Sequence, residues 1–154
     1  MIKSVIALDP GPVETAYLIL TADGIKEFGV APNLSILPLL RYSQSYEVVC
    51  EKVESFGMAV GVSTFETVRW EGEYRCTCRM IGMAFHPVTR KQIKAFWCHT
   101  TRATDSNIRQ ALIDHYGEQG TKKNPGPTYG LKGHTWSTLA IAGYWREQQI
   151  RPTL

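Results

Sequence analysis

Two acids and one histidine stand where they can do chemistry. Asp9 closes the apolar run Ser4–Asp9 and is followed at once by Pro10-Gly11, a stop signal. An acid ending a central strand ahead of a glycine turn lifts its carboxylate into the crevice at the sheet's edge, unless it only satisfies its own turn. Glu51 ends a second apolar run, Tyr46–Glu51. A charge that terminates a buried strand must reach solvent, a partner or a metal. If these two strands are neighbours, the carboxylates lie within several ångströms, and one pKa rises unless a divalent cation holds both. Glu54 is a rival, but it lies three residues past the strand end. His134 opens the apolar stretch HTWSTLAIA and points toward whatever that helix packs on, or else bonds a backbone carbonyl. A Ser-His or Cys-His hydrolase has no support: there is no G-x-S-x-G elbow, and Cys98-His99 are only sequence neighbours.

The elements that must carry these residues can be read in order. Thr15–Thr21 is β-branched and aromatic, Asp23-Gly24 is a hairpin turn and Ile25–Val30 returns, so the first three strands form an antiparallel meander. Asn33 caps a short helical segment toward Tyr42, with Pro38 kinking it or setting its first turn. Tyr46–Glu51 is the fourth strand. A long helix covers Ser63 to about Met80, and Met83–His86 is the candidate fifth strand. Thr104-Asp105-Ser106 is an N-cap cluster, with Ile108, Ala111, Leu112 and Tyr116 at helical spacing and Gly117 as the stop. Gly120–Lys132 is a loop. The last helix runs from about His134 to Glu147, with Trp136, Leu139, Ala140 and Gly143 on one stripe. The order β-β-β-α-β-α-β-α-α predicts an α/β fold: a mixed five-stranded sheet with helices on both faces.

At 154 residues the chain has room for one domain, 1–154, and hardly for two. Its 44% hydrophobic and 20% charged residues argue against disorder, and no apolar stretch approaches the ~20 residues of a bilayer span. MIKSVIALDPG has no cleavage pattern, and Cys50, Cys76, Cys78 and Cys98 fit neither a disulfide scaffold nor a zinc site. Reduced thiols and a cytoplasmic location are the expectation.

Charge is divided sharply along the chain. Residues 1–74 carry 5 Lys/Arg and 10 Asp/Glu, a net −5, whereas residues 75–154 carry 12 and 4, a net +8. From Arg75 to Arg109 there are seven basic residues and a single acid, Asp105. Either this is a solvated basic surface or it is a cationic face for a polyanion.

The segments IALDPGPVETAYLIL, VVCEKVESFGM and GHTWSTLAIAGYW stand in the order and spacing of the RuvC-type Holliday-junction resolvases. The chain resembles that family, in particular its phage-borne branch, over about residues 2 to 146. The resemblance implies a ribonuclease H-like fold and a metal-dependent endodeoxyribonuclease that resolves Holliday and other branched DNA by paired symmetric nicks. It also implies acids on the first strand, the fourth strand and the last helix that bind two Mg²⁺ ions. Asp9 matches the first acid and Glu51 the second. The family's last helix begins with an acid and often carries another three residues later; here those positions are His134 and Ser137. The expected catalytic and metal-ligating set is therefore Asp9, Glu51 and His134, and Ser137 cannot replace a carboxylate charge. Imidazole is softer than Mg²⁺ prefers, so Mn²⁺ is expected to serve at least as well.

The implied mechanism places an in-line water on the phosphodiester, with two cations about 4 Å apart bridged by Asp9. A lysine from the 122–132 stretch would support the phosphate. Asp105 is an outside candidate for the missing acid, although an N-cap position explains it more simply. The family pairs two subunits through the helix after the second acid, so a homodimer through 63–80 is implied. Phe65, Trp70 and Gly72 would form the two-fold contact, unless they pack inward. Arg75, Arg79, Arg90, Lys91, Lys94, Arg102, Lys122, Lys123 and Lys132 are expected to track phosphates, giving salt-dependent affinity. Phe56 and Met58 wedge at the junction centre or belong to the core. No membrane and no nucleotide cofactor are expected.

Three other readings compete. One is a non-catalytic or weakly active branched-DNA-binding protein on the same fold, motivated by Ser137. Another is an actin- or sugar-kinase-like phosphate binder, because Asp9-Pro10-Gly11 with Thr15 resembles a phosphate loop, although such enzymes need two domains of this size. The last is a ribonuclease H acting on RNA–DNA hybrids by the same metal chemistry.

Overall fold

A computed structural model describes residues 1–151. Val5–Asp9 (β1), Glu14–Thr21 (β2) and Gly24–Pro32 (β3) form the antiparallel meander, and Glu47–Lys52 (β4) and Phe85–Thr89 (β5) join it in parallel. The sheet order is β3-β2-β1-β4-β5, so β1 is central. Both its faces are covered, which explains the unbroken apolar run VIAL rather than a polar alternation. Val5 and Ala7 enter one core, and Ile6 and Leu8 the other.

The second of these cores holds Asn33–Arg41 (α1) and Val62–Ile81 (α2); the first holds Arg90–Cys98 (α3), Asp105–Tyr116 (α4) and His134–Ile150 (α5). The five-stranded mixed sheet with helices on both faces is as expected. No described helix is long and apolar enough to cross a membrane. The four cysteines are free.

Three local expectations are corrected. The fifth strand begins two residues later and runs through Pro87 to Thr89, because β5 is an edge strand and an edge tolerates a missing N–H donor. The sequence reading left 90–98 without an element, yet α3 fills it. Thr89 accepts from the Gln92 N–H and the Gln92 side chain accepts from the Thr89 N–H, a capping box that fixes its start. Asn33 does not cap α1; Pro32 holds that position.

Asn33 is instead buried and ties down the turn that follows Asp9. Its Nδ2 donates to the Gly11 carbonyl at 3.0 Å, and its Oδ1 accepts from Thr15 Oγ1 at 2.7 Å and from the Tyr74 hydroxyl at 3.1 Å. Gly11 is required there, since a Cβ would stand 2.6 Å from the Glu14 carbonyl oxygen. With its hydroxyl committed to Asn33 and Tyr74, Thr15 is not part of a phosphate loop. Cutting the network strands several buried polar groups at once. Asn33→Ala is expected to lower unfolding free energy by roughly 2–3 kcal/mol in urea titrations, and Tyr74→Phe by less. A loss under half a kcal/mol for Asn33→Ala would show that the turn is held otherwise.

Candidate active site

The parallel pairing of β1 with β4 ends at Leu8 opposite Cys50, so Asp9 and Glu51 are the next residues on adjacent strands. Both side chains are largely buried, at 12% and 15% exposure. Burial pushes the Glu51 carboxyl up to about 8, and the charge and hydrogen bonding of Asp9 beside it push the same way, against the pull of Arg90. Glu51 therefore keeps its proton near neutral pH.

His134 arrives from the other end of the chain. It is the first residue of α5, the helix packed across β1, β2 and β4. Just before it, the Thr135 hydroxyl accepts from the Lys132 N–H at 2.8 Å and donates to the Lys132 carbonyl at 2.6 Å, closing a tight turn. Further along, a Cβ on Gly143 would meet the Tyr116 hydroxyl at 2.6 Å and Trp97 at 2.7 Å. That close approach, with the Trp97 indole N–H on the Ala140 carbonyl at 3.0 Å, fixes α5 lengthwise. His134 Nδ1 lies 3.0 Å from Asp9 Oδ2.

Arg90 is the neighbour that sequence reasoning placed only on a general basic face. Glu51 pairs with Val88 and Lys52 with Thr89, so the first residue of α3 emerges beside Glu51. Its guanidinium is 3.5 Å from Glu51 Oε1 and also ion-paired with Asp105. Asp105 is not the cap of α4: Thr104 is, through its own capping box with Asn107, which frees the Asp105 carboxylate for Arg90.

Three cavities meet at the carboxyl pair. One of about 210 Å³ is walled by α3, α4 and α5 and includes Glu51, Arg90, Asp105, Arg109, His134 and Ser137. A second, of about 240 Å³, runs from Asp9 and Glu51 to Glu54 and Phe56. A third, of about 620 Å³, lies along the Pro10–Glu14 turn toward Thr67 and His134. Arg109 closes the basic run that starts at Arg75 and that is expected as a whole to track phosphates; its i, i+4 spacing from Asp105 forms no ion pair, because Asp105 pairs with Arg90.

No protein-family model matches the sequence, and no curated protein matches it. Among solved structures, RuvC of Thermus thermophilus superimposes with a TM-score of 0.71 at 13% identity, covering 95% of this chain and 96% of that one. The T. thermophilus RuvC in complex with a Holliday-junction substrate gives 0.67 at 16% identity, covering 96% of each. The chain has the RuvC fold. This is a ribonuclease H-like architecture, as the motif order implied.

On the RuvC fold the expected site residues are partly assembled. Asp9, Glu51 and His134 come together, with Asp9 between the other two. Among the described residues, however, no three His, Cys, Asp or Glu side chains already converge as a metal cage. Two hard carboxyl donors forced together at the strand ends fit one divalent cation, whose charge would relieve the repulsion between them. The outer flank of Glu51 already faces the Arg90 guanidinium, so a second ion has no comparable carboxyl pair. Of the expected phosphate-tracking residues, Arg90 lies at the site, and Lys91 stands 5.2 Å over the Phe56 ring beside it. Lys94 is on α3, Arg102 in the turn before α4, Lys122 and Lys123 in the exposed 120–125 loop, and Lys132 just ahead of His134. Arg75 and Arg79 ride the second half of α2, which runs away from the site.

The raised Glu51 pKa has a measurable consequence. Folded Glu51 keeps its proton up to about pH 8 while the unfolded carboxyl loses it near 4.5, so in metal-free protein stability falls as pH rises through that window. Glu51→Gln is expected to flatten this slope, gaining about 1–3 kcal/mol over wild type between pH 5 and pH 8.5 in chelator. Parallel denaturation behaviour of the two proteins across that range would contradict a buried, protonated Glu51.

Proposed function

We propose that the protein is a divalent-metal-dependent endodeoxyribonuclease that resolves Holliday and other branched DNA by paired, symmetric nicks. The observation that carries this reading is the Asp9–Glu51 carboxyl pair with His134 on Asp9, set at the carboxyl ends of neighbouring strands on a RuvC fold. The neighbour solved with a Holliday-junction substrate supports the choice of branched DNA. Mg²⁺ is the expected ion, with Mn²⁺ at least as effective because an imidazole is in the donor set. Two ions are the family's number, and the carboxyl pair supports one of them best. When bound, the metal would supply an acidified water and neutralise charge building on the phosphate.

The chain's own groups do the rest. Asp9 and Glu51 would hold the ion at the strand ends, both as carboxylates. His134 bonds Asp9 through Nδ1 and, being 80% exposed, leaves Nε2 open to complete the ion's donor set. Arg90, held beside Glu51, meets the phosphate at its rim; Lys91, Lys94, Arg102, Lys122, Lys123 and Lys132 track the arms. Phe56, exposed and lining the cavity at the carboxyl pair, and Met58, exposed two residues on, fit a wedge at the junction centre.

Paired nicks need two sites, and α2 offers the surface for a homodimer. Phe65 and Val68 are 59% and 46% exposed on its outer face, and Gly72 has no neighbour where a Cβ would be. Trp70 faces inward against Tyr74 and is withdrawn from the contact. The protein is expected to sediment as a dimer at micromolar concentration and Val68→Glu as a monomer; a wild-type monomer removes the coordinated cut.

One gel tests the chemistry: labelled junction, fork, hybrid and linear duplex, each with Mg²⁺, Mn²⁺ or chelator. The expected result is metal-dependent nicking of the junction, lost in Asp9→Asn while junction binding persists. Binding without nicking in any metal favours the alternative, a branched-DNA-binding protein lacking catalysis, for which Ser137 is the motivating residue.

A further inference from the structure

The cavity between α3, α4 and the start of α5 touches Glu51 but extends away from the carboxyl pair. Four charged side chains face it, and their pairing is uneven. Arg90 answers both acids, Glu51 and Asp105. Arg109 has no carboxylate within ion-pair distance among the described residues. Its guanidinium lies instead 5.6 Å from the centroid of the Trp136 ring. Trp136 is only 6% exposed, so that ring is a fixed platform set in the core. A guanidinium held over an aromatic face keeps its N–H fork available for an oxyanion.

Arg109 is thus the one cation without a carboxylate partner in a cavity of about 210 Å³ whose remaining walls are apolar (Ile93, Ile108, Ala140) or polar (Ser137, His134). Such a site selects an anion with several acceptor oxygens. Glu51 and Arg109 line the same cavity, a continuous path from the carboxyl pair to Arg109 that a DNA backbone would follow. We propose that this cavity is a phosphate subsite for the DNA linkage next to the scissile one, received by Arg109. Arg90, clamped by Glu51 and Asp105, forms the wall between that subsite and the cleavage site. Asp105 is then a positioning residue for Arg90 and not a metal ligand. The proposal rests on the nuclease reading and adds to it where the neighbouring linkage is gripped.

The test is junction binding by the full chain in chelator across a salt series, with wild type, Arg109→Ala and Arg109→Lys. DNA carrying a single neutral methylphosphonate linkage is scanned across the mapped nick. Arg109 is exposed on α4, so its removal is expected to leave the melting temperature unchanged. Arg109→Ala is expected to weaken binding about tenfold and to reduce the slope of log affinity against log salt by about one. Arg109→Lys recovers the slope but only part of the affinity. One neutral linkage flanking the nick costs wild type as much as the mutation does, and costs Arg109→Ala nothing further. Arg109→Ala binding with unchanged affinity and slope, or suffering every neutral linkage as wild type does, overturns the subsite and leaves the nuclease reading intact. A wild type that does not prefer junctions over linear duplex overturns both.

Discussion

Two carboxyl groups at the ends of adjacent parallel strands are an expensive arrangement, and the rest of the molecule is organised around keeping them there. The register of β1 on β4 leaves no alternative: with Leu8 opposite Cys50, the next residue on each strand is an acid. Both are largely buried, so neither can escape its neighbour by turning to water. The folded chain tolerates the pair by leaving a proton on Glu51 and placing the Arg90 guanidinium on its outer side. A divalent cation would replace that compromise with a stronger one.

The supports converge from three directions, and each is a packing or hydrogen-bonding device rather than a charge. The Gly11–Thr15–Asn33–Tyr74 network fixes the turn behind Asp9 from the α1–α2 side of the sheet. Helix α5, pressed onto Trp97 and Tyr116 at Gly143, fixes His134 from the opposite side. The edge strand β5 delivers Arg90 as its chain turns into α3. A substitution far from the carboxyls can therefore disturb them through geometry alone.

Much of this was legible in the amino-acid sequence. Asp9 and Glu51 announced themselves as acids closing apolar runs, and a run buried on both faces is a central strand under either fold direction. The α2 span, bounded by Gly61 and Gly82, is legible to within one residue at each end, whereas α5 starts at His134 as expected but runs on to Ile150, past the expected Glu147, with no glycine to stop it. The helix α3 was overlooked although its capping box, Thr89 with Gln92, is a local signal. Its short apolar content and the preceding Pro87 masked it. Asn33 and Asp105 were misassigned as caps for one reason: an Asn or Asp beside a helix start is compatible with capping, and only its surroundings reveal a better partner.

What the chain determines by itself is which residues lie at element ends and which face of each element is apolar, because strand and helix periods are local properties. That placed Asp9, Glu51 and His134 at element ends; that the three meet was implied only by the resemblance to the RuvC-type resolvases. The tertiary structure alone decided the register that makes the two acids neighbours, the pairing of Arg90 with both Glu51 and Asp105, and the isolation of Arg109 on Trp136. Those facts depend on distances between segments remote along the chain. Side-chain pairing is set by what packing brings within a few ångströms, and no local pattern encodes that.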